Sequence, residues 1–182
     1  MEKLVDTGTY LDGVETLRRR ELEYGIVREP PSPFYAHQAV VTNLVAALAT
    51  WAREGGLGRF CVSPIDVVLD GPKALIVQPD AVFIATSRLG IIRNQIWGAP
   101  DLVVEVLSAS TTRRDRTKKL SWYRAYGVRE YWLIDPLSRS VEIVNLAIAG
   151  ATRGGRRRFR GRRTIESAVL GKTPVSAATL FD

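Results

Sequence analysis

The ten residues Gly98-Ala99-Pro100-Asp101-Leu102-Val103-Val104-Glu105-Val106-Leu107 hold the chain's most chemical anomaly. Leu and Val would point to both faces, so the stretch reads as a buried strand. Glu105 does not belong there, because an unpaired carboxylate stripped of water is very costly and must find a cation, a proton or a metal. Period-two alternation puts Asp101, Val103, Glu105 and Leu107 on one face, so both acids can face one cleft, with Asp101 expected at the strand start and its carboxylate at the rim. The apolar run from Leu75 to Ile84 is broken by Gln78-Pro79-Asp80. A strand proline marks an edge or a bulge, and bulges re-aim side chains beside active sites. Carboxylates from two neighbouring strands would make an oxygen-rich cleft suited to Mg²⁺ or Mn²⁺, hard cations that keep several waters. A cation held there can activate water and stabilise charge on a phosphoryl group. With His37 and Cys61 the sole histidine and cysteine, a structural zinc site is not expected.

A third contributor lies on the segment that follows. Asp115, Lys119 and Tyr123 recur at i, i+4 and i+8, one helical stripe flanked by Leu120 and Tyr126. Alone, Asp115 and Lys119 would be a helix pair worth about 0.3–0.5 kcal/mol. Beside two acidic strands, Lys119 is expected to turn inward and steady an attacking hydroxide or the charged transition state. Each residue also has a plainer role open to it. Glu105 could be the buried partner of Lys119 or of an arginine, without catalysis. Asp80 could be a bulge residue held by backbone amides. Asp135 before Pro136 suits a strand-end turn, His37 a packing or hydrogen-bonding role at a helix start, and Trp97, Trp122 and Trp132 the core or its rim.

These residues need a scaffold. Glu21–Val27 reads as half of a hairpin, and Pro30-Pro31-Ser32-Pro33 breaks the chain. Val41, Leu44, Val45 and Leu48 fall on one face of a helix over Ala36–Glu54, stopped by Gly55-Gly56. Gly58–Leu69 reads as one strand, bent or at an edge because of Pro64, and Asp70-Gly71-Pro72 as the turn into Leu75–Ala85. Thr86–Trp97 reads as loop. A second helix is capped by Ser110 or Thr111 and ends at Gly127. Arg129–Asp135 and Ser140–Leu146 follow as antiparallel strands, and Val169–Asp182 as a tail with one strand or short turns. The order α-β-β-β-α-β, with extra strands at both ends, predicts an α+β (α/β) fold: a mixed sheet, three strands in a meander, and a crossover helix to the fourth.

With 182 residues, one domain is expected, and 46% apolar with 25% charged residues is ordinary for a globular chain. A lone cysteine permits no internal disulfide and fits a reducing cytoplasm. No apolar run approaches a membrane span, so no membrane partner is expected. The net charge of +7 is concentrated: seven arginines and no acid lie between Arg153 and Arg163, and the remainder balances at nineteen basic and nineteen acidic residues. Such a segment, expected as a further hairpin, suits a polyanion, nucleic acid first, or else is a solvated loop.

Taken together, Val77-Gln78-Pro79-Asp80, Gly98 through Ser108, Asp115 to Lys119 and Gly127-Val128-Arg129-Glu130-Tyr131-Trp132-Leu133-Ile134-Asp135-Pro136 resemble the Uma-type restriction endonucleases of the PD-(D/E)XK superfamily. The resemblance spans roughly Glu21 to Leu146 in order and spacing. It implies a restriction-endonuclease-like core and Mg²⁺-dependent hydrolysis of DNA phosphodiesters by a metal-activated water. By it, Asp80 and Glu105 are the metal ligands. Leu107 stands where the superfamily has lysine, and the family's displaced lysine matches Lys119, with Lys118 the near neighbour. Glu21 matches an acidic position before the first helix, implied to hold a second metal or a water, and His37 matches a family position at that helix's start.

The resulting expectation is a DNA endonuclease with catalytic Asp80, Glu105 and Lys119. Arg113, Arg114, Arg116, Lys118, Arg156, Arg157, Arg158 and Arg160 would contact phosphates without reading sequence. Two rivals differ in class: a non-catalytic nucleic-acid-binding module on the same fold, and an interaction protein whose acids are structural. Cutting both strands takes two centres, which a homodimer would supply.

Overall fold

The computed structural model describes residues 4–14, 16, 18–147 and 155–182, so Arg153, the first arginine of the basic segment, lies outside the described residues. In chain order the elements are α1 (Thr7–Leu11), β1 (Glu21–Glu23), β2 (Ile26–Arg28), α2 (Tyr35–Glu54), β3 (Gly58–Val62), β4 (Val67–Asp70), β5 (Leu75–Val77) and β6 (Ala81–Ala85). A 3-10 turn, Thr86–Ile91, leads to β7 (Ile96–Trp97) and β8 (Leu102–Val106). Next come α3 (112–125), β9 (Glu130–Asp135), β10 (Ser140–Asn145), β11 (Arg156–Arg160), β12 (Thr164–Ser167), β13 (Gly171–Ser176) and α4 (Ala177–Phe181).

The fold is α+β. A six-stranded mixed sheet of order β11-β10-β9-β8-β6-β3 stands beside a five-stranded sheet of order β2-β1-β5-β4-β7, with β12-β13 as a separate hairpin. Antiparallel β8-β6 and parallel β8-β9 make β8 central, and α3 is the crossover that a parallel pair demands. One face of the large sheet buries Leu102, Val104, Trp132 and Ile134 under α2, β13 and α4. On the other face Val103, Tyr131 and Leu133 pack against α3 and the apolar side of the five-stranded sheet. Glu105 lies between Val103 and Leu107, so it belongs to this second layer.

Two stretches that read as single strands are each divided between the sheets. Gly58–Leu69 becomes β3 in the large sheet and β4 in the small one, joined through a cis Ser63–Pro64 bond. Leu75–Ala85 becomes β5 and β6, joined by Gln78-Pro79-Asp80. The expected three-strand meander is present in the large sheet as β3-β6-β8, but each of the first two runs gives only one half to it and the other half to the small sheet. Asp80 consequently sits in a link and not in a strand. The Arg segment does not fold into a hairpin of its own; β11 pairs along its length with β10 as the sheet's outer strand. On α2 the buried stripe is Val40, Leu44, Leu48 and Ala52, rotated from the expected face, and Val45 lines an open groove instead.

Gly58 is required where β3 begins. Its φ is +157°, and a Cβ there would come within 2.1 Å of the Ile84 carbonyl oxygen. Gly58→Ala is expected to destabilise the protein by at least about 2 kcal/mol, measured by urea denaturation, by forcing β3 away from β6.

Candidate active site

The register Ala81↔Val104 of β6 and β8, continued by one residue, sets Asp80 opposite Glu105. Directly opposed residues of an antiparallel pair project to the same side. Both carboxylates accordingly meet one cation. Arg19, from the segment preceding β1, places Nη1 2.7 Å from Asp80 Oδ1 and Nη2 3.4 Å from Glu105 Oε2. Asp80 Oδ2 accepts the Val106 N–H at 2.6 Å, an amide of the strand that carries Glu105. His37, on the first turn of α2, brings Nε2 to 3.2 Å from Asp80 Oδ1, close but outside hydrogen-bond geometry, and both its ring nitrogens are buried without a hydrogen-bond partner.

Lys119 reaches the same cluster because α3 is not uniform. Between the α-helical turns Thr112–Arg114 and Leu120–Ala125, residues Asp115–Lys119 form a π-helical segment. π-bulges widen a helix locally and recur at functional sites. Lys119 is 2% exposed, and its Nζ lies 2.7 Å from Glu105 Oε1 and 3.0 Å from Glu21 Oε1. Tyr123 Oη donates to the same Glu105 oxygen at 2.8 Å. Lys118 stays outside, its Nζ 3.8 Å from Glu23. Leu107, two residues after Glu105, is buried in the core, and the positive charge beside Glu105 comes from α3.

Glu21 sits at the back of the cluster, fully buried, accepting from the Gln78 N–H at 2.9 Å and from Arg114 Nη2 at 2.5 Å as well as pairing with Lys119. Burial alone would push its carboxyl up, but Lys119, Arg114 and Arg19 hold it down at about 2. Its oxygens are committed to holding Lys119 and Arg114 in place. Arg114 also pairs with Glu23, so the structure turns this residue inward instead of toward an external phosphate. Burial raises the Glu105 carboxyl to about 7, helped by Asp80 and Asp115 against Lys119 and Arg19. Burial also raises Asp115, whose two oxygens have no hydrogen-bond partner and whose Oδ1 lies 4.0 Å from Lys119 Nζ.

Asp101 is a correction. It is fully buried instead of lying at the rim, and it does not share the cleft of Glu105. Its carboxylate accepts the Ala85 N–H at 2.9 Å and pairs with Arg88 and Arg129, tying the end of β6 to the start of β9. Asp135 closes a turn by accepting from the Leu137 and Ser138 amides. Trp132 and Trp122 are buried and Trp97 lies at the rim.

The residues suit a hard divalent cation. Asp80 and Glu105 already share a single cationic group through one oxygen each, and the donors are oxygens. Five buried carboxylates (Glu21, Glu23, Asp80, Glu105, Asp115) face three buried or half-buried cations (Arg19, Arg114, Lys119), leaving a deficit of two positive charges before His37 is counted. Among the described residues no three His, Cys, Asp or Glu side chains are arranged to hold a metal by themselves. The approach is a groove of about 1280 Å³ ending at Arg19 and Asp80, walled by Pro30–Pro33 and the Val41–Val45 side of α2.

A family model described as "Putative restriction endonuclease" (Uma2) matches residues 9–171. The chain belongs to the Uma2 family. The crystal structure of a putative nuclease belonging to DUF820 from Anabaena variabilis superposes with a TM-score of 0.78 at 19% identity, covering 97% of each chain. That likeness shows the fold, an α+β arrangement of mixed sheet flanked by helices, as expected from the sequence. No protein of curated function matches the chain. Among the described residues no helix is long and apolar enough to cross a membrane.

The basic residues of this Uma2 protein are mostly engaged with one another's counter-ions. Register puts Glu105, Leu133, Glu142 and Arg158 in one row across β8, β9, β10 and β11. Two strand spacings make Glu142 roughly 10 Å from Glu105 on the same face. Arg116, Arg156 and Arg158 all bind Glu142, at 2.8, 2.5 and 3.1 Å. Arg157 pairs with Glu166 on the opposite face, while Arg113 and Arg160 are exposed. Sequence reasoning did not single out Arg19, Arg114's inward role or Glu142. The one available signal was that a buried acid needs a cation, and Arg18-Arg19-Arg20 stands just before Glu21.

Two measurements probe this arrangement. Burial opposes ionisation of Glu142, yet its three arginines lower its pKa from 4.5 to about 2. Its contribution to stability is thus present above pH 4.5 and lost as pH falls toward about 2. Glu142→Gln is expected to flatten the loss of melting temperature across that acid window. Tyr123→Phe, which removes one donor from Glu105 but leaves Lys119, is expected to cost about 1 kcal/mol in urea denaturation.

Proposed function

We propose that this protein is a Mg²⁺- or Mn²⁺-dependent endonuclease that hydrolyses DNA phosphodiester bonds. The observation that carries the reading is the convergence of Asp80 Oδ1 and Glu105 Oε2 on one cation, with the Lys119 ammonium against the other Glu105 oxygen. A divalent ion bound there would supply water activation and neutralise charge developing at the phosphoryl group. Asp80 and Glu105 would hold it, each with its outer oxygen already fixed, by the Val106 amide and by Lys119 with Tyr123. Glu105 and Glu21 keep Lys119 protonated despite its burial, so Lys119 acts as a fixed positive charge rather than a base. In that role it orients a water and stabilises negative charge in the transition state. Glu21 is a positioning residue for Lys119 in this arrangement. His37 lies against Asp80 and helps to orient it.

Family membership makes DNA the substrate to test. Exposed Arg113 and Arg160 and the triad Arg116, Arg156 and Arg158, which exceeds its single acid Glu142 by two charges, offer phosphate contacts. Such contacts position a duplex without reading its sequence. A non-catalytic nucleic-acid-binding module is the second reading, favoured by Arg19 filling the gap between the two acids.

Nicking of supercoiled plasmid with Mg²⁺, Mn²⁺ or chelator separates them. Cleavage is expected only with the divalent ion, and Glu105→Gln or Asp80→Asn should lower it at least about a hundredfold while salt-sensitive DNA binding survives. Cleavage undiminished in Glu105→Gln would overturn the site. DNA binding with no cleavage under any metal would favour the binding module.

A further inference from the structure

Arg19 is the one cation in the cluster that comes from neither α3 nor a strand. Its Nε donates to the Gln78 carbonyl at 2.9 Å, and Nη2 donates to that oxygen as well. This anchors the guanidinium at the link that carries Asp80. Its hold on the two acids is uneven, 2.7 Å to Asp80 and 3.4 Å to Glu105. Asp80 Oδ2 is taken by the Val106 amide and Glu105 Oε1 by Lys119 and Tyr123. Only Asp80 Oδ1 and Glu105 Oε2 remain to face inward, and Arg19 contacts both, with His37 Nε2 also 3.2 Å from the Asp80 atom.

A Mg²⁺ ion needs such oxygens at about 2.0–2.1 Å. Guanidinium and divalent ion cannot both lie between them, since three positive charges would crowd within a few ångströms. Leaving the pair bare is equally unfavourable, because unpaired buried carboxylates are strongly destabilising. Resting on the metal-dependent reading above, we propose that Arg19 is a built-in counter-ion: it holds the cation position in the metal-free protein, and a divalent ion must expel it to bind. The exit exists. Arg19 is 19% exposed and lines the groove of about 1280 Å³, so the displaced guanidinium has an adjacent solvated space to enter.

A site closed for most of the time binds with its intrinsic Kd divided by the open fraction. Removing the occupant therefore tightens metal binding, the reverse of what removing a ligand-supporting residue does. The test is Mn²⁺ titration of the full chain without DNA, followed by electron paramagnetic resonance of the free ion, in wild type and Arg19→Ala. Arg19→Ala should bind Mn²⁺ about tenfold tighter or more, melt lower than wild type in chelator, and recover most of that loss with Mn²⁺. As a second measurement on the wild-type protein, a dicarbonyl reagent that modifies arginine is applied and Arg19 is read by mass spectrometry. Arg19 should be protected in chelator and become reactive with Mn²⁺. Unchanged or weaker Mn²⁺ affinity in Arg19→Ala, with wild type still binding, overturns the counter-ion role and leaves the nuclease reading intact. So does Arg19 remaining protected in the Mn²⁺-bound wild-type protein. Absence of Mn²⁺ binding in both proteins overturns the two readings together.

Discussion

A carboxylate in the central strand of a six-stranded sheet is the constraint around which this protein is arranged. Glu105 is 2% exposed, so its charge must be met inside the fold. Lys119 and Tyr123 meet one oxygen and Arg19 the other, which draws three distant parts of the chain to one point. The same acid brings in others: Lys119 needs Glu21, Glu21 needs Arg114, and Arg114 reaches Glu23. Such networks stabilise only when every member is satisfied. Both Asp115 oxygens, Arg114 Nε and the His37 ring nitrogens lack hydrogen-bond partners, so this one is incomplete at its margins.

The six-stranded sheet supplies the rigidity that such a network requires. Pairing of β6 with β8 fixes Asp80 against Glu105, and the Val106 amide crosses between the two acids' strands. On the far face α2 packs through Leu44 and Leu48, both fully buried, and its first turn presents His37 to Asp80. Positions on strands and packed helices are held more closely than positions on loops. Asp80, in the short link, is held by its neighbours in β6 and by the Val106 amide, whereas Arg19 comes from a longer irregular segment, which suits the displacement proposed for it.

Much of the site was legible because burial and charge conflict visibly in the sequence. An acid among Val and Leu, and a Gln-Pro-Asp interruption in an apolar run, mark Glu105 and Asp80 without any coordinates. Lys119 was legible through its spacing from Asp115 and Tyr123, although a uniform α-helix would not have distinguished it firmly from Lys118; the π-helical segment does. Asp101 misled because period-two alternation was extended beyond the end of β8, which starts at Leu102. The division of Gly58–Leu69 and Leu75–Ala85 between two sheets was not legible, since a continuous apolar run looks alike whether it serves one sheet or two. Pairings between arginines and distant acids, such as Arg114 with Glu21 or Arg158 with Glu142, depend on register, and no local pattern encodes register across strands that are far apart in sequence.

Among the described residues the outer strand β11, which carries Arg156, Arg157, Arg158 and Arg160, has no strand paired to its far edge. Unpaired edges invite a second chain to add itself, and like charges at the border discourage that. Two copies aligned along β11 would stack arginine upon arginine. Growth of the large sheet by self-addition is thus discouraged on that side.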